Sequence, residues 1–325
     1  MKISVIGTGI YGLAIAKSLA KNKNNQIFMW TENEDKYKEF RDTKKLASII
    51  DCEIESNITI SPSYKDVLED TKLIYIVTAS KYVDIVSHNM KPYYKKSVPI
   101  CIASKGIEDT TEELLSEVIK KNLNAKYIAV ISGPTFAIDI INGEPIALAL
   151  GSKGKKAKNL VLKTLANDHL KLRPTDDMIG IQLCGALKNI IAIASGILSG
   201  LGYSDSTRAF LINESLHDMK EIIYYMGGKR KTILSFAGIG DLMLTCSSTK
   251  SRNFSFGYII GSTKDPKKIN EYLAKTTVEG YYTLDTVYKL LIRKNIEIGL
   301  INVIYDIVHN KEDANTLATF LTEKK

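Results

Sequence analysis

The chain lacks any close pair of cysteines. Cys52, Cys101, Cys184 and Cys246 are far apart, with neither a CxxC pair nor the His/Cys spacing that zinc requires. They read as free thiols of a reducing cytoplasm, and no metal is expected. Internal repeats, low-complexity tracts and RNA- or DNA-binding signatures are missing too. The net charge of +8 does not restore a nucleic-acid reading, because the lysines are scattered and the densest group, Lys153 to Lys158, sits beside glycines as a solvated loop does. A modest positive balance suits small phosphorylated substrates steered toward a basic cleft. No clean membrane span is present: the longest weakly charged stretch, 179–201, carries Lys188 with several glycines and polar residues and reads as a buried helix.

What is present is long enough for a real core. At 325 residues and 45% hydrophobic content, two domains are expected. The first is organised around its opening residues. An apolar run at 3–6 breaks into Gly7-Thr8-Gly9-Ile10-Tyr11-Gly12, followed by Leu13, Ala14, Ala16, Leu19 and Ala20 at helical spacing. Strand, glycine turn and helix in this order form a dinucleotide-binding fingerprint. Gly7 makes the tight turn, Gly9 admits a pyrophosphate to the backbone, and Gly12 lets the helix pack on the strand. Lys2 before apolar residues imitates a signal peptide, but the fingerprint falls in register directly behind it. Gln26–Trp30 reads as the next strand, and Glu32 just beyond it can accept a hydrogen bond from an adenosine ribose, while its charge repels a 2′-phosphate. That leans toward NAD over NADP.

Further apolar strands are expected at 73–77, 99–103, 127–131 and 146–150, alternating with polar or helical segments such as 35–57 and 112–121. The pattern is that of a doubly wound parallel sheet of the Rossmann-like α/β class. Ligands in such sheets collect at the carboxyl ends of strands, which selects Lys105 and the loop from Gly133 to Ala137. From 179 onward strand alternation stops and helical patterns run through 278–294 and 302–324, with loops at 200–206, 238–240 and 249–253. The expected division is a dinucleotide-binding domain over 1–177 and a mainly helical substrate-binding and catalytic domain over 178–325.

One ionisable residue stands out. Lys188 is the only charge between 179 and 201, and helical spacing places it on a stripe with Cys184 and Ile191 or Ala192. An ammonium on an apolar face is either paired and functional, with a pKa lowered toward neutrality, or it snorkels to solvent from a helix end. Asp241, directly after Gly238-Ile239-Gly240, is a helix cap or a partner for a buried cation and a substrate hydroxyl. Ser251-Arg252-Asn253 offers a hydroxyl, a guanidinium and an amide in sequence, a phosphate clamp or an ordinary surface loop.

These segments together resemble one family. Gly7 to Gly12 with Ala14 and Ala16, Ser104-Lys105-Gly106, Ser132 to Ala137, Cys184 to Asn189, Ala237 to Leu242 with Leu244-Thr245-Cys246, Ser251-Arg252-Asn253 with Phe256-Gly257, and Val278-Glu279-Gly280 occur in the order found in bacterial-type NAD(P)-dependent glycerol-3-phosphate dehydrogenases. The resemblance spans the whole chain. It implies interconversion of sn-glycerol 3-phosphate and dihydroxyacetone phosphate, run toward glycerol 3-phosphate for phospholipid synthesis, by a homodimer with no metal. It implies Lys188 and Asp241 as catalytic residues, with Lys188 accepting the proton in oxidation and donating it in reduction. Lys105, Gly133, Thr135, Lys188, Asp241, Ser251, Arg252 and Asn253 would contact the substrate. Gly7, Gly9, Ile10, Tyr11, Gly12, Glu32, Lys105, Ala137, Arg252, Val278 and Glu279 would line the site of NAD or NADP. This chain departs from the family's pattern at Ile10, Gln182, Glu214 and Glu32. Two other readings are a dehydrogenase of another small oxo-acid or oxo-phosphate and an NAD(H)-binding regulator without turnover.

Overall fold

A computed structural model describes residues 1–263 and 265–323. Lys324, at the end of the expected C-terminal helical segment, lies outside the described residues. The chain divides into two compact units, the first built from Met1–Ser104, Leu115–Ile131 and Thr135–Met178, the second from Lys105–Leu114, Ser132–Pro134 and the chain from Ile179 onward.

The first unit holds an eight-stranded sheet. Its strands are β1 (Lys2–Ile6), β2 (Gln26–Trp30), β3 (Ile58–Ser61), β4 (Leu73–Ile76), β5 (Ile100–Ile102), β6 (Ile128–Ser132), β7 (Ile146–Gly151) and β8 (Leu170–Thr175). They lie in the order β3-β2-β1-β4-β5-β6-β7-β8. β1 pairs parallel with β2 and β4, β2 with β3, β4 with β5, β5 with β6, and β7 with β8. The winding direction therefore reverses between β1 and β4, and a crevice at their carboxyl ends is where such sheets bind ligands. Ile3, Val5, Ile27, Leu73 and Tyr75 are fully buried with Leu13, Ile15 and Leu19 of the helix Ile10–Ala20. Strands covered on both faces read as apolar runs, which is why six of the eight are visible in the sequence.

The other two are the edges of the sheet. β3 and β8 each bury alternate residues, Ile58 and Ile60 in one and Leu170 and Leu172 in the other, while Thr59, Lys171 and Arg173 face outward. A half-buried strand of this length carries no continuous apolar run, and Pro174 is tolerated because β8 has one free edge. The helix expected at 112–121 instead begins at Leu115 and ends at Leu123, because Glu112 takes a left-handed backbone (φ 56°) and a short bridge pairs Ile107 with Leu114.

The second unit is helical and is centred on Met178–Gly200. By length and composition this helix could cross a membrane, but its apolar window is buried throughout within the fold. The helix Arg252–Ser262 crosses it at close range. A Cβ on Gly257 would lie 1.9 Å from the carbonyl oxygen of Ile193, and one on Gly196 would lie 2.0 Å from that of Phe254. Backbone against backbone leaves no room for even a methyl group. Gly257→Ala is therefore expected to destabilise the protein by about 1–3 kcal/mol or more, read as a lowered thermal midpoint. An unchanged midpoint would show that the two helices can separate freely.

Candidate active site

The first unit supplies an anion-binding turn. Gly7 leaves β1 at φ 120°, a left-handed backbone that favours glycine, and its N–H donates to the Trp30 carbonyl at 3.1 Å. Gly9 stands at the N-cap of Ile10–Ala20, and a Cβ built there meets nothing within 4 Å. A Cβ on Gly12 would lie 2.3 Å from the Gly7 carbonyl oxygen, so helix and turn pack without a gap. The first-turn N–H groups have no intrahelical acceptor and carry the positive end of the helix dipole. Open space at Gly9 beside those donors fits a pyrophosphate. Thr8 donates to Thr31 at 2.7 Å, fixing the end of β2 next to the exposed Glu32. Tyr11 and Thr135 join their hydroxyls at 3.2 Å, and Ala137, nearly buried, begins the short helix Ala137–Ile141. Of the expected cofactor residues, Gly7, Gly9, Ile10, Tyr11, Gly12, Glu32 and Ala137 belong to this unit, and Lys105, Arg252, Val278 and Glu279 to the other.

The second unit brings together residues far apart in sequence. Lys188 lies midway along Met178–Gly200 and is 7% exposed. Its Nζ donates to Asp241 Oδ1 at 2.9 Å and to Thr245 Oγ1 at 2.7 Å. Thr245 in turn donates to the Asp241 carbonyl at 2.6 Å, a bond one turn back along the helix Asp241–Cys246. The wide turn Phe236–Gly240 delivers Asp241 to this position, and the Asp241 carboxylate is 1% exposed. Its other oxygen, Oδ2, accepts from Lys105 Nζ at 2.6 Å, and Lys105 also donates to the Gly133 carbonyl at 3.3 Å. The 132–134 segment rests on Gly240, where a Cβ would meet Pro134 at 3.4 Å. Lys105, Gly133, Lys188 and Asp241 thus form one cluster.

One carboxylate shared by two ammoniums leaves a net positive charge in a nearly dry site. Burial is the largest influence on Lys188 and brings its pKa down to about 8, against the pull of Asp241, with Lys105 adding to the lowering. That value suits proton exchange with an alcohol oxygen near neutral pH. Two buried polar atoms beside the cluster have no partner among the described residues, Ser132 Oγ and Asn189 Nδ2. A Cβ on Gly185 would lie 2.9 Å from Ser132 Oγ and 3.6 Å from Lys105 Cγ, so both side chains pack against this glycine of the central helix. Buried unpaired groups at a charged centre mark places for ligand oxygens.

The 249–253 stretch is not simply a loop. The helix begins at Arg252, and Ser251 caps it by accepting from the Phe254 N–H at 3.2 Å. Asn253 is equally committed: its amide donates to Asn189 Oδ1 at 2.9 Å and accepts from the Gly280 N–H at 2.8 Å. It ties together the central helix and the start of Glu279–Arg293. Val278 is fully buried, and Glu279 is close enough to Lys188 to favour its charged form. Arg252 is exposed, and its guanidinium makes no hydrogen bond or ion pair among the described residues. Thr245, Asn189 and Ser132 were not singled out from the sequence as site residues. The available signals were the i to i+4 spacing of Asp241 and Thr245 and the adjacency of Asn189 to Lys188.

Comparison with known proteins gives this geometry its context. Residues 2–158 match the model of the NAD-dependent glycerol-3-phosphate dehydrogenase N-terminus, and residues 177–319 match that of its C-terminus. A glycerol-3-phosphate dehydrogenase [NAD(P)+] of Staphylococcus haemolyticus is 33% identical over 313 residues, covering 94% of this chain and 93% of that protein. A Staphylococcus aureus protein of the same name is 32% identical with the same coverage. The crystal structure of glycerol-3-phosphate dehydrogenase from Coxiella burnetii superposes with a TM-score of 0.93 at 31% identity, covering 99% of both chains. A glycine turn with open space at a helix N-terminus on a parallel sheet, a buried lysine in a helical unit and matches over both halves lead to one conclusion: this chain belongs to the NAD-dependent glycerol-3-phosphate dehydrogenase family.

Proposed function

We propose that this chain interconverts sn-glycerol 3-phosphate and dihydroxyacetone phosphate with NAD(H) or NADP(H), with Lys188 as general acid and base. The observation that carries this reading is the Asp241 carboxylate held between Lys188 and Lys105 at 2.9 and 2.6 Å. When bound, the nicotinamide supplies or accepts a hydride at the substrate's C2. Lys188 meets the charge that develops on the C2 oxygen, donating its proton in reduction and taking it back in oxidation. Asp241 and Thr245 fix the direction of its Nζ, so little reorganisation is needed as that charge forms. Lys105 offsets the second half of the Asp241 charge, which keeps the centre positive toward an anionic substrate. Reduction yields the glycerol 3-phosphate used in phospholipid synthesis.

A coupled assay following NADH or NADPH oxidation with dihydroxyacetone phosphate tests the proposal directly. Turnover is expected, with the larger kcat/KM for NADH, because the exposed Glu32 carboxylate at the end of β2 opposes a 2′-phosphate. Absence of turnover in protein shown to bind NADH would refute the activity.

Arg252 is assigned to the substrate phosphate, on the strength of its uncommitted guanidinium at the start of a helix. Arg252→Ala should raise KM for dihydroxyacetone phosphate and also lower kcat, with a loss of about 3 kcal/mol or more, or two orders of magnitude in kcat/KM. A change in KM alone would mean that the phosphate contact does not position C2. The four cysteines are free thiols, which supports a cytoplasmic enzyme. We also read it as a homodimer, supported by large exposed apolar side chains such as Leu234 and Tyr225.

A further inference from the structure

One end of the sheet in the first unit gathers lysines that are scattered along the sequence. β4, β5 and β6 begin there side by side: the Ile74 N–H donates to the Pro99 carbonyl at 3.0 Å, and the Ile100 N–H donates to the Tyr127 carbonyl at 2.9 Å. The end of β7 meets the same edge, because Ser152 Oγ donates to the Ile128 carbonyl at 2.9 Å. The helix Lys155–Leu165 starts at this edge, where Lys156 Nζ donates to the Ser97 carbonyl at 2.7 Å and lies 4.3 Å from the centre of the Tyr127 ring. Segments 93–99, 124–128 and 152–156 therefore share one surface.

These segments carry six lysines, Lys95, Lys96, Lys126, Lys153, Lys155 and Lys156, and no aspartate or glutamate. All six are exposed, and so is Tyr93. Asp70 brings a carboxylate to this edge, and Lys95 Nζ reaches it at 3.5 Å, which offsets one of the six charges. The surface lies apart from the glycine turn. β1 runs parallel to β4, and β4 to β5 and β6, so the turn that leaves β1 stands at the opposite end of the same strands.

We propose that this surface docks on an anionic membrane, a bilayer whose headgroups carry net negative charge. Such a plane attracts a group of exposed lysines through their summed charge, with no need for a shaped pocket. None of the six is an arginine, whose planar fork is the side chain suited to nucleic-acid recognition. A tyrosine among lysines suits the headgroup level, where amphipathic rings collect. With this end on the bilayer, the glycine turn faces away and stays open to a cofactor. Release of product beside the bilayer would follow only from the dehydrogenase reading; the docking itself does not depend on it.

Co-sedimentation of the full chain with phosphatidylcholine vesicles containing about one-third phosphatidylglycerol tests the proposal. Binding is expected at about 0.05 M salt and should be lost near about 0.5 M, where screening shortens the reach of each charge. Pure phosphatidylcholine vesicles should retain about tenfold less protein or lower still. Changing Lys96, Lys126, Lys153 and Lys155 together to Glu should weaken binding by about tenfold or more, and changing them to Gln should give an intermediate loss. The control variant changes Lys267, Lys268, Lys275 and Lys294, exposed residues of the second unit, to Glu; it has the same net charge and should bind as the wild type does. Thermal midpoints near that of the wild type establish that the variants are folded, and the Gln variant carries the test should the Glu variant not fold. Absence of binding to the anionic vesicles, equal binding to the neutral ones, or equal losses in patch and control variants overturns docking by this surface. Tighter binding to a short single-stranded RNA than to the vesicles at the same salt, lost in the patch variant, assigns the surface to nucleic acid and overturns the membrane proposal. No turnover is measured, so failure here is distinct from failure of the dehydrogenase proposal.

Discussion

Lys188→Ala should reduce kcat in both directions by about 10³-fold or more, since in the proposed mechanism it removes both the proton donor and the charge opposite the forming alkoxide. NADH affinity should stay near the wild-type value, because the glycine turn at Gly7 to Gly12, proposed to hold the pyrophosphate, is untouched. The fold should also survive: Asp241 keeps Lys105 at 2.6 Å, so no charge is left buried without a partner. Lys188→Arg should not restore activity, as a guanidinium holds its proton throughout the accessible range. With the wild-type lysine at about pKa 8, reduction needs the protonated form and should decline as pH rises through 8. Oxidation needs the neutral amine and should increase over the same interval. Initial rates across pH 6 to 10 in both directions check this, and a profile without an inflection near 8 would remove Lys188 from the proton transfer.

Asp241→Asn is expected to be the more damaging change for the protein as a whole. The wild-type carboxylate is 1% exposed and neutralises parts of two ammoniums at once. An amide of the same shape removes the carboxylate that both cations share and leaves only the weaker influence of Glu279 on Lys188. Removing one member of a buried ionic group costs about 3–5 kcal/mol, which denaturant unfolding would detect. The two lysines respond by favouring their neutral forms, so the pKa of Lys188 should fall further below its ordinary value. Reduction should then be weak at neutral pH and recover in part as the pH is lowered. A variant with wild-type stability and an unshifted pH profile would show that Asp241 does not hold the two lysines together. Comparison with Asp241→Ala separates the charge from the hydrogen bond to Thr245, whose hydroxyl would still find the main-chain carbonyl at 2.6 Å.

The architecture was largely legible in the residues. Gln26–Trp30 was delimited to the residue, and the Rossmann-like sheet followed by helices is the fold observed. Interior parallel strands and the helix behind Gly9 are specified by local rules, namely continuous apolar runs, left-handed glycine and helical spacing of small residues. Edge strands escaped because water on one face removes the run that identifies an interior strand. The start of the helix at Arg252 escaped for another reason: Ser251 is its cap, and a serine before a polar pair reads equally well as loop.

The sequence by itself determined which residues had to be explained: a lone lysine in a 23-residue apolar helix, and an aspartate after two glycines. Only the tertiary structure decided that they are partners, 53 positions apart, and that Lys105, another 136 positions from Asp241, shares the same carboxylate. It also decided that Ser251 and Asn253 spend their side chains on holding helices, leaving Arg252 uncommitted. Local patterns are set by neighbours along the chain, whose spacing fixes strand and helix. Charge pairing and proton affinity depend on which distant groups are driven from water together, and that is settled only when the core closes.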